Sequence, residues 1–550
     1  MVDKATSTRI ICEGGLDSSQ NYLYLSSQKP GAATRLVNYE VGLSGGYRRI
    51  NGYAPYDATY GEVTSVANVA QGKVLGLIQF ENSTTGATEV YAMRRLTAAP
   101  TEYGVYKYES GTGWVLVVTG LTHLYSSGGA EVDKIRWDQG NDGTSNYLAF
   151  VDGVNNATLF DGTTWVFIDS ADSGLDLANA GGPNALNAPS LVGFFENHLW
   201  LAKDTINNFT GIMAHSAPNA FYDWLTASGS GQVVAGHIIV GFKSFRDSLY
   251  VFGSNAIKRI FVEGTDFVIK DVTQNIGLTN PDALIEIGGS LIFLAQDGFR
   301  PIAGTDKIDD IQLETISKQV HTLIQRRLVD TAGINMNAVA IRGKSQFRVF
   351  FGDDGADAAA SKGIIGALRT PDQQSGWEFG ELLGIRASVC SSRYVNGVEE
   401  VLHGDFDGYV YQQESGNDLN GADMLSVYST PYLDFDDTEI RKTMQDLTVF
   451  ALGEGSLDIN LNVSYDWGKT TTSNPSNYTL ELDANQPIYD DALFMYDDPG
   501  AVYGGLLTPI GTKNIEGSFF SARFTFSASG SEAPHTIHAL VVEFKNEGRR

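Results

Sequence analysis

Cysteine is nearly absent from this chain, with two residues in 550, Cys12 and Cys390. That excludes a disulfide framework and a cysteine-rich metal site. The single bridge two thiols allow is not something a chain of this size needs. Long apolar runs are missing too. No stretch of about 18 apolar residues occurs, so no membrane insertion is expected. The opening residues, Met1-Val2-Asp3-Lys4-Ala5-Thr6, lack the basic-then-apolar order of a signal peptide, and a reducing, soluble compartment is expected. Positive charge is scarce, with 38 Lys and Arg against 65 Asp and Glu and a net charge of -27. No basic run exceeds a pair such as Arg94-Arg95 or Arg326-Arg327. Phosphate neutralisation supplies most nucleic-acid affinity, so DNA binding through a basic groove is not expected. The acidity suits a wall that repels DNA, and equally the solubility of a large assembly.

What the chain has in quantity is glycine, at 61 residues, with 25 Tyr and 28 Phe. Many glycines and aromatics with few helical patterns read as short strands joined by tight turns. The length is too great for one core. Residues 1–60 read as an N-terminal arm with platform strands, including a strand-like segment Asn21-Tyr-Leu-Tyr-Leu25 and a Gly-rich turn from Gly42 to Gly52. Residues 61–415 repeat one phrase, an apolar run, a polar Gly/Asn/Asp turn and a second run. Examples are Asn146-Tyr-Leu-Ala-Phe-Val-Asp-Gly153, Asp247-Ser-Leu-Tyr-Val-Phe-Gly253, Gly289-Ser-Leu-Ile-Phe-Leu-Ala295 and Glu400-Val-Leu-His-Gly404. The interval is roughly 40–55 residues, the period of a four-stranded propeller blade, and about six blades fit the span.

One segment breaks the β pattern. From Asp309 to Leu328, and more broadly near 309–330, apolar residues fall at helical spacing with acids first and Arg326-Arg327 last, so a helix is expected there, packed on the propeller flank or used as a subunit contact. Residues 416–427 read as a polar linker. Residues 428–550 read as a β-sandwich-like platform domain, because Leu457-Asp-Ile-Asn-Leu-Asn-Val463 and Ser521-Ala-Arg-Phe-Thr-Phe-Ser527 alternate strictly. The fold class is therefore all-β: a propeller with one inserted helix, an N-terminal arm and a C-terminal sandwich.

Chemistry is sparse. Ser464-Tyr-Asp466-Trp-Gly468-Lys-Thr470 resembles the Asp-box of sialidase-type propellers, with Thr471 where an aromatic belongs. That box stabilises a turn through its Asp and Ser side chains and does not catalyse. Asp418-x-Asn420-Gly421-x-Asp423 and Asp353-Asp354-Gly355-x-Asp357 resemble calcium loops but lack the ligand ladder and closing Glu of an EF-hand, so solvated turns are expected. His535 and His538 fall on opposite faces of a strand and cannot share a metal. No phosphate loop, dinucleotide fingerprint or nucleophile elbow occurs. Among 65 acids some pair is always close, so spacing singles out no glycosidase pair. No catalytic residue, cofactor or metal is expected.

Three stretches together resemble the tail nozzle, or tail hub, family of short-tailed bacteriophages (podoviruses), the tail tubular protein B type. They are Asn38-Tyr-Glu40 leading to Gly45-Gly-Tyr-Arg-Arg-Ile-Asn-Gly52, then Gly298-Phe-Arg-Pro-Ile302 followed by Ile316-Ser-Lys-Gln-Val-His-Thr-Leu323, and a C-terminal pattern. The last comprises the Asp-box-like turn, the Asp/Tyr-rich stretch from Tyr489 to Gly505 and a closing strand ending Gly548-Arg-Arg550. The resemblance implies a virion structural protein assembled in the host cytoplasm. It would form a homo-hexameric tube below a tail adaptor ring and portal, with tail fibres or spikes docked at its junction and a platform built from terminal segments. Genomic DNA would pass down the axis for retention and ejection without sequence-specific binding. The residues facing that lumen are not assigned by the sequence. The competing reading is a glycan-binding or glycan-cleaving propeller of the tailspike type.

Overall fold

The computed structural model describes residues 5–42, 45–99, 101–122, 134–204, 209–264, 266–302, 315–330, 336–352, 361–369, 376–455, 457–469, 472–482 and 510–549. Its centre is a β-propeller. The first blade comprises Ala70–Asn82, Ala87–Leu96, Glu102–Glu109 and Gly113–Thr122. The second runs from Arg136 to Phe167, the third from Pro189 to Val234 and the fourth from Gly241 to Thr273. The fifth has three strands, Leu284–Ile287, Ser290–Ala295 and Gly298–Ile302. The closing blade joins Val389–Val395, Val398–Gly404 and Val410–Gln413 to Tyr53–Pro55, a strand from the other end of the chain. Those are the six discrete sheets of the wheel, the number the repeat interval implies. Between the fifth and closing blades a further four-strand unit, Met336–Ile341, Gln346–Phe351, Lys362–Leu368 and Trp377–Leu383, also stands in the ring, but its sheet continues outward.

The repeated phrase has a local cause. Inner hairpins turn on two residues that both take positive φ: Glu196-Asn197 (49° and 58°), Gly288-Gly289 (61° and 70°) and Asn396-Gly397 (51° and 82°). Such turns match the right-handed twist of the strands they join, and Asn and Gly tolerate them best. Second strands such as Ser248–Phe252 and His198–Leu201 are buried throughout, because blades cover both of their faces.

The platform is a two-sheet sandwich. One sheet has seven strands, built on Ile440–Gly453 and His535–Arg549 and including Thr6–Ile11, Tyr39–Val41 and Tyr47–Arg49 from the chain start. The other is the outer part of the nine-stranded sheet: Arg35–Val37, Ser426–Ser429, Ala522–Ala528, Leu457–Tyr465 and Tyr478–Leu482. Alternation holds as expected, with Leu457, Ile459, Leu461, Val463 and Tyr465 buried. They pack against Leu447, Val449, Leu540 and Val542. The sandwich does not stand apart from the wheel. Arg35–Val37 pairs in parallel with Trp377–Leu383 at Val37 and Glu381, so one continuous sheet spans both. The residues read as an arm thus supply strands to both bodies, and the stretch 416–427 packs on them, with Leu419 and Met424 buried.

Two local readings are corrected. Asn21–Leu25 is not a strand. Helix α1 spans Tyr22–Gln28, with Asn21 as its cap, the side chain accepting from the Leu23 amide. A short alternating window fits a helix equally well, and the Asn cap decides the matter. Helix α2 is shorter than expected, spanning His321–Asp330 after a 3-10 turn at Lys318–Val320. Thr315 to Ser317 are not helical, because Ile316 N and Ser317 Oγ bond Phe299, tying the approach to the fifth blade. Asp309 and Asp310 lie outside the described residues. The helix packs inward, with Val320 and Ile324 in the core shared by platform and bridging unit.

The closing strand depends on Gly52, whose amide bonds Gly416 O at 2.9 Å and where an added Cβ would lie 1.7 Å from Asp418 O. Gly52→Ala is expected to cost about 2 kcal/mol or more by forcing the closing strand off its partner. Urea unfolding measures this, and an unchanged midpoint would show that the strand does not close the ring.

Candidate functional site

Two places concentrate charged side chains away from solvent. The first is where platform meets propeller. The segment Gly45 to Ile50 turns sharply into Tyr47–Arg49, and each of its side chains grips a different part of the molecule. Tyr47 donates its hydroxyl to Gly31 O and accepts from Gly15 N, each at 3.0 Å. Arg48 pairs with Glu40 at 3.0 Å and with Glu454 at 2.6 Å. Arg49, fully buried, donates to Ser426 Oγ at 2.9 Å, Gly530 O at 2.7 Å, Met424 O at 3.2 Å and Glu532 O. A guanidinium offers five fixed donors and so can hold several loop carbonyls at once.

Beneath Arg48 lies a deeper ion cluster. Glu40, at 2% side-chain exposure, accepts from Arg348 at 3.3 Å, where Arg348 has none. Lys344 reaches the same carboxylate at 2.6 Å. Glu414, at the end of the closing blade, pairs with both cations. Gln346 and Gln413 take further donors and acceptors of Arg348 and Glu40, at 2.9 to 3.0 Å. Burial alone would raise the Glu414 carboxyl, but Arg348 and Lys344 outweigh it and hold it well below the ordinary carboxylate range. This cluster carries no motif. Its only trace in the sequence is one charge inside the apolar run Gln346-Phe-Arg-Val-Phe-Phe351.

The second place is the propeller axis. Innermost strands contact one another around the ring, so bonds between strands that are not ring neighbours must cross its centre. Several do. Arg136 of the second blade forms a two-pronged pair with Asp282, which precedes the fifth, at 2.9 and 3.0 Å. Lys134 reaches Asp282 at 3.5 Å and also Asn337 of the bridging unit. Arg393 of the closing blade bonds Gln139 of the second at 2.8 Å, and also pairs with Glu81 of the adjoining first blade at 2.5 Å. Lys243 of the fourth approaches Asp138 at 3.8 Å. Burial would raise Asp282, but Arg136 and Lys134 prevail and lower it. Burial lowers Lys134 to about 8, against the pull of Asp282. Paired charges thus span the axis between blades that are not ring neighbours. A glycoside-cleaving acid needs a raised carboxyl facing a second carboxylate across a sugar. The described carboxyls that are raised are Glu400 and Asp405 in the closing blade and Glu532 in the loop before the last strand, Glu400 standing opposite Arg393 in its sheet.

The remaining sequence candidates are structural in their contacts. Asp466 accepts from Phe520 N and Ser521 N at 2.7 and 3.2 Å and from Thr472 Oγ1 at 3.0 Å, so it pins a turn to the neighbouring strand. Ser464 does not share that task, bonding Asn462 on its own strand. Thr470 and Thr471 lie outside the described residues, as do Asp353 to Asp357 and the stretch from Tyr489 to Gly505. Asp418 accepts from Gly421 N at 2.9 Å, closing a turn in which Asn420 and Gly421 take positive φ. His535 is buried against the Tyr39 hydroxyl at 2.8 Å, and His538 is half-buried on the other face. Cys12 and Cys390 are free thiols.

No family model matches the chain, and no curated protein matches it. Solved structures do. An ancestral GH74 enzyme aligns over 68% of this chain at 10% identity and a TM-score of 0.39, and the chain covers 53% of its length. An exo-β-1,3-galactanase from Phanerochaete chrysosporium, solved with β-1,3-galactotriose, aligns over 90% of this chain and 100% of its own, at 9% identity and 0.24. Hsv2 of Kluyveromyces lactis aligns over 56% and 98%, at 10% and 0.26. Scores this low carry no functional argument.

Arg348→Met leaves Glu40 without its buried partner and is expected to cost about 3–5 kcal/mol, with part regained on adding Glu40→Gln. A double-mutant cycle by urea unfolding checks this, and additive losses would contradict it. Burial also keeps histidines neutral, with His215 lowered to about 4 and His403 and His535 to about 3. The unfolded chain takes these protons near 6.5. Between the two values the unfolded state holds more protons, so stability is full above about pH 6.5 and falls as pH drops toward 4. The urea midpoint should follow that slope, and His403→Phe should flatten it; a midpoint constant from pH 7 to 4 would refute this.

Proposed function

We propose that this chain is a structural subunit of a bacteriophage tail nozzle rather than an enzyme. Six copies form a DNA-conducting tube below a portal-adaptor complex, holding the genome and releasing it. The observation that most supports this reading is the clasp. The Gly45–Ile50 motif that carries the family resemblance ties both chain ends and the propeller into one body through Tyr47, Arg48 and Arg49. A subunit under load from packed DNA needs such a tie, because hinged domains would otherwise yield first. The axial pairs fit as well. With the propeller axis spanned by paired charges, the DNA path in this reading runs between subunits. The net charge of -27 repels phosphate along such a bore and lets DNA slide.

Partners follow from ring geometry. A head-to-tail interface closes six copies, a tail adaptor caps one end, and fibres or spikes dock at the junction, all in the virion. Electron microscopy of the purified chain with its candidate adaptor is expected to show six-fold rings, with the same subunit around DNA density in the particle. A protein that stays monomeric with the adaptor at micromolar concentration, and is missing from particles, would defeat the proposal. Release of reducing sugar from host capsule or lipopolysaccharide would favour the glycan-cleaving alternative.

A further inference from the structure

Trp467 has φ 56° and ψ 29°, left-handed backbone that bulky residues rarely adopt. Its neighbours Asp466 and Gly468 are left-handed too, at 48° and 71°. The buried Asp466 carboxylate locks this run through the Phe520 and Ser521 amides and the Thr472 hydroxyl. The conformation does not serve core packing, since the Trp467 side chain is left 44% exposed. Strain held in place by its surroundings, with the strained residue turned outward, points to a role for the exposed group.

The indole walls an open groove of about 860 Å³. The floor is Gly517, with φ 124°, where a Cβ would lie 2.4 Å from the Tyr465 ring, so only glycine fits. Tyr465 lies flat on Phe519 beneath, centroids 5.1 Å apart, which makes the floor rigid. Arg441 forms the facing wall, stacked 5.8 Å over Phe520 and bonded to Ser518. Asn474 accepts from Tyr465 N at 2.9 Å through its Oδ1, which leaves the amide NH2 as a donor. Glu516 lies at the rim.

One flat exposed aromatic beside amide, guanidinium, hydroxyl and carboxylate groups is the chemistry that recognises a pyranose. The C–H face of the sugar packs on the indole, and its equatorial hydroxyls bond the polar walls. A nucleic acid is disfavoured by the net charge. An apolar peptide would find one open ring, Trp467, and a half-buried Phe520 covered by Arg441, where it needs a cluster of anchors. We propose that this groove is a saccharide-binding site that takes a neutral hexopyranose unit. Asp466 holds the site's shape rather than the sugar, its Oδ1 accepting from the Phe520 and Ser521 amides and its Oδ2 from the Thr472 hydroxyl. The inference stands independently of the nozzle reading.

The test titrates the full chain with laminaritriose, cellotriose and chitotriose to about 10 mM, the weak end of small-ligand affinity. Tryptophan fluorescence and saturation-transfer NMR are the readouts. At least one sugar is expected to give a saturable signal. Trp467→Asn, which suits left-handed backbone, should abolish that signal at an unchanged melting temperature, and Trp467→Phe should retain part of it. The proposal is overturned if no trisaccharide gives a Trp467-dependent signal. It is equally overturned if Trp467→Asn lowers the melting temperature while binding persists, or if that change instead breaks self-assembly, which would make the ring a subunit contact.

Discussion

The buried pair of Arg348 and Glu40, 3.3 Å apart with almost no exposure, is the contact on which the arrangement of the two bodies depends. Glu40 belongs to the platform and Arg348 to the bridging unit. Neither charge can be left alone in a low-dielectric interior. Lys344, Glu414, Gln346 and Gln413 satisfy the remaining donors and acceptors. The cluster therefore admits one geometry, and sliding the platform on the propeller would strand at least one charge. Apolar packing alone would tolerate small shifts far better, because it has no direction.

The same logic closes the wheel. A propeller of separate sheets is held around its rim by blade-on-blade packing and at its seam by the strand Tyr53–Pro55. The axial pairs add directional ties across the centre, from Arg136 to Asp282 and from Arg393 to Gln139. These buried and axial charges are spent on internal contacts, whereas the groove at Trp467 opens outward.

Much of this was legible in the residues. Polar–apolar phrases ending in Asn-Gly or Gly-Gly mark blade hairpins because two-residue turns require those residues locally. Strict alternation in Leu457–Tyr465 marks a half-buried sheet for the same local reason. Asp466 was legible as a turn residue, though not the strain it imposes on Trp467. The short helix α1 was missed because five residues do not separate a period of two from one of 3.6. The ion cluster was missed because its members, Glu40, Lys344, Arg348 and Glu414, are far apart in sequence and follow no spacing rule.

The all-β class, the blade phrase, the turns and the excess of acids follow from composition and from interactions within a few residues. That the chain start closes the last blade, that one sheet runs from propeller into sandwich, and which charges are buried together emerge only on folding. Those outcomes depend on which distant segments meet, and burial gives a charge its meaning only once its neighbours are in place.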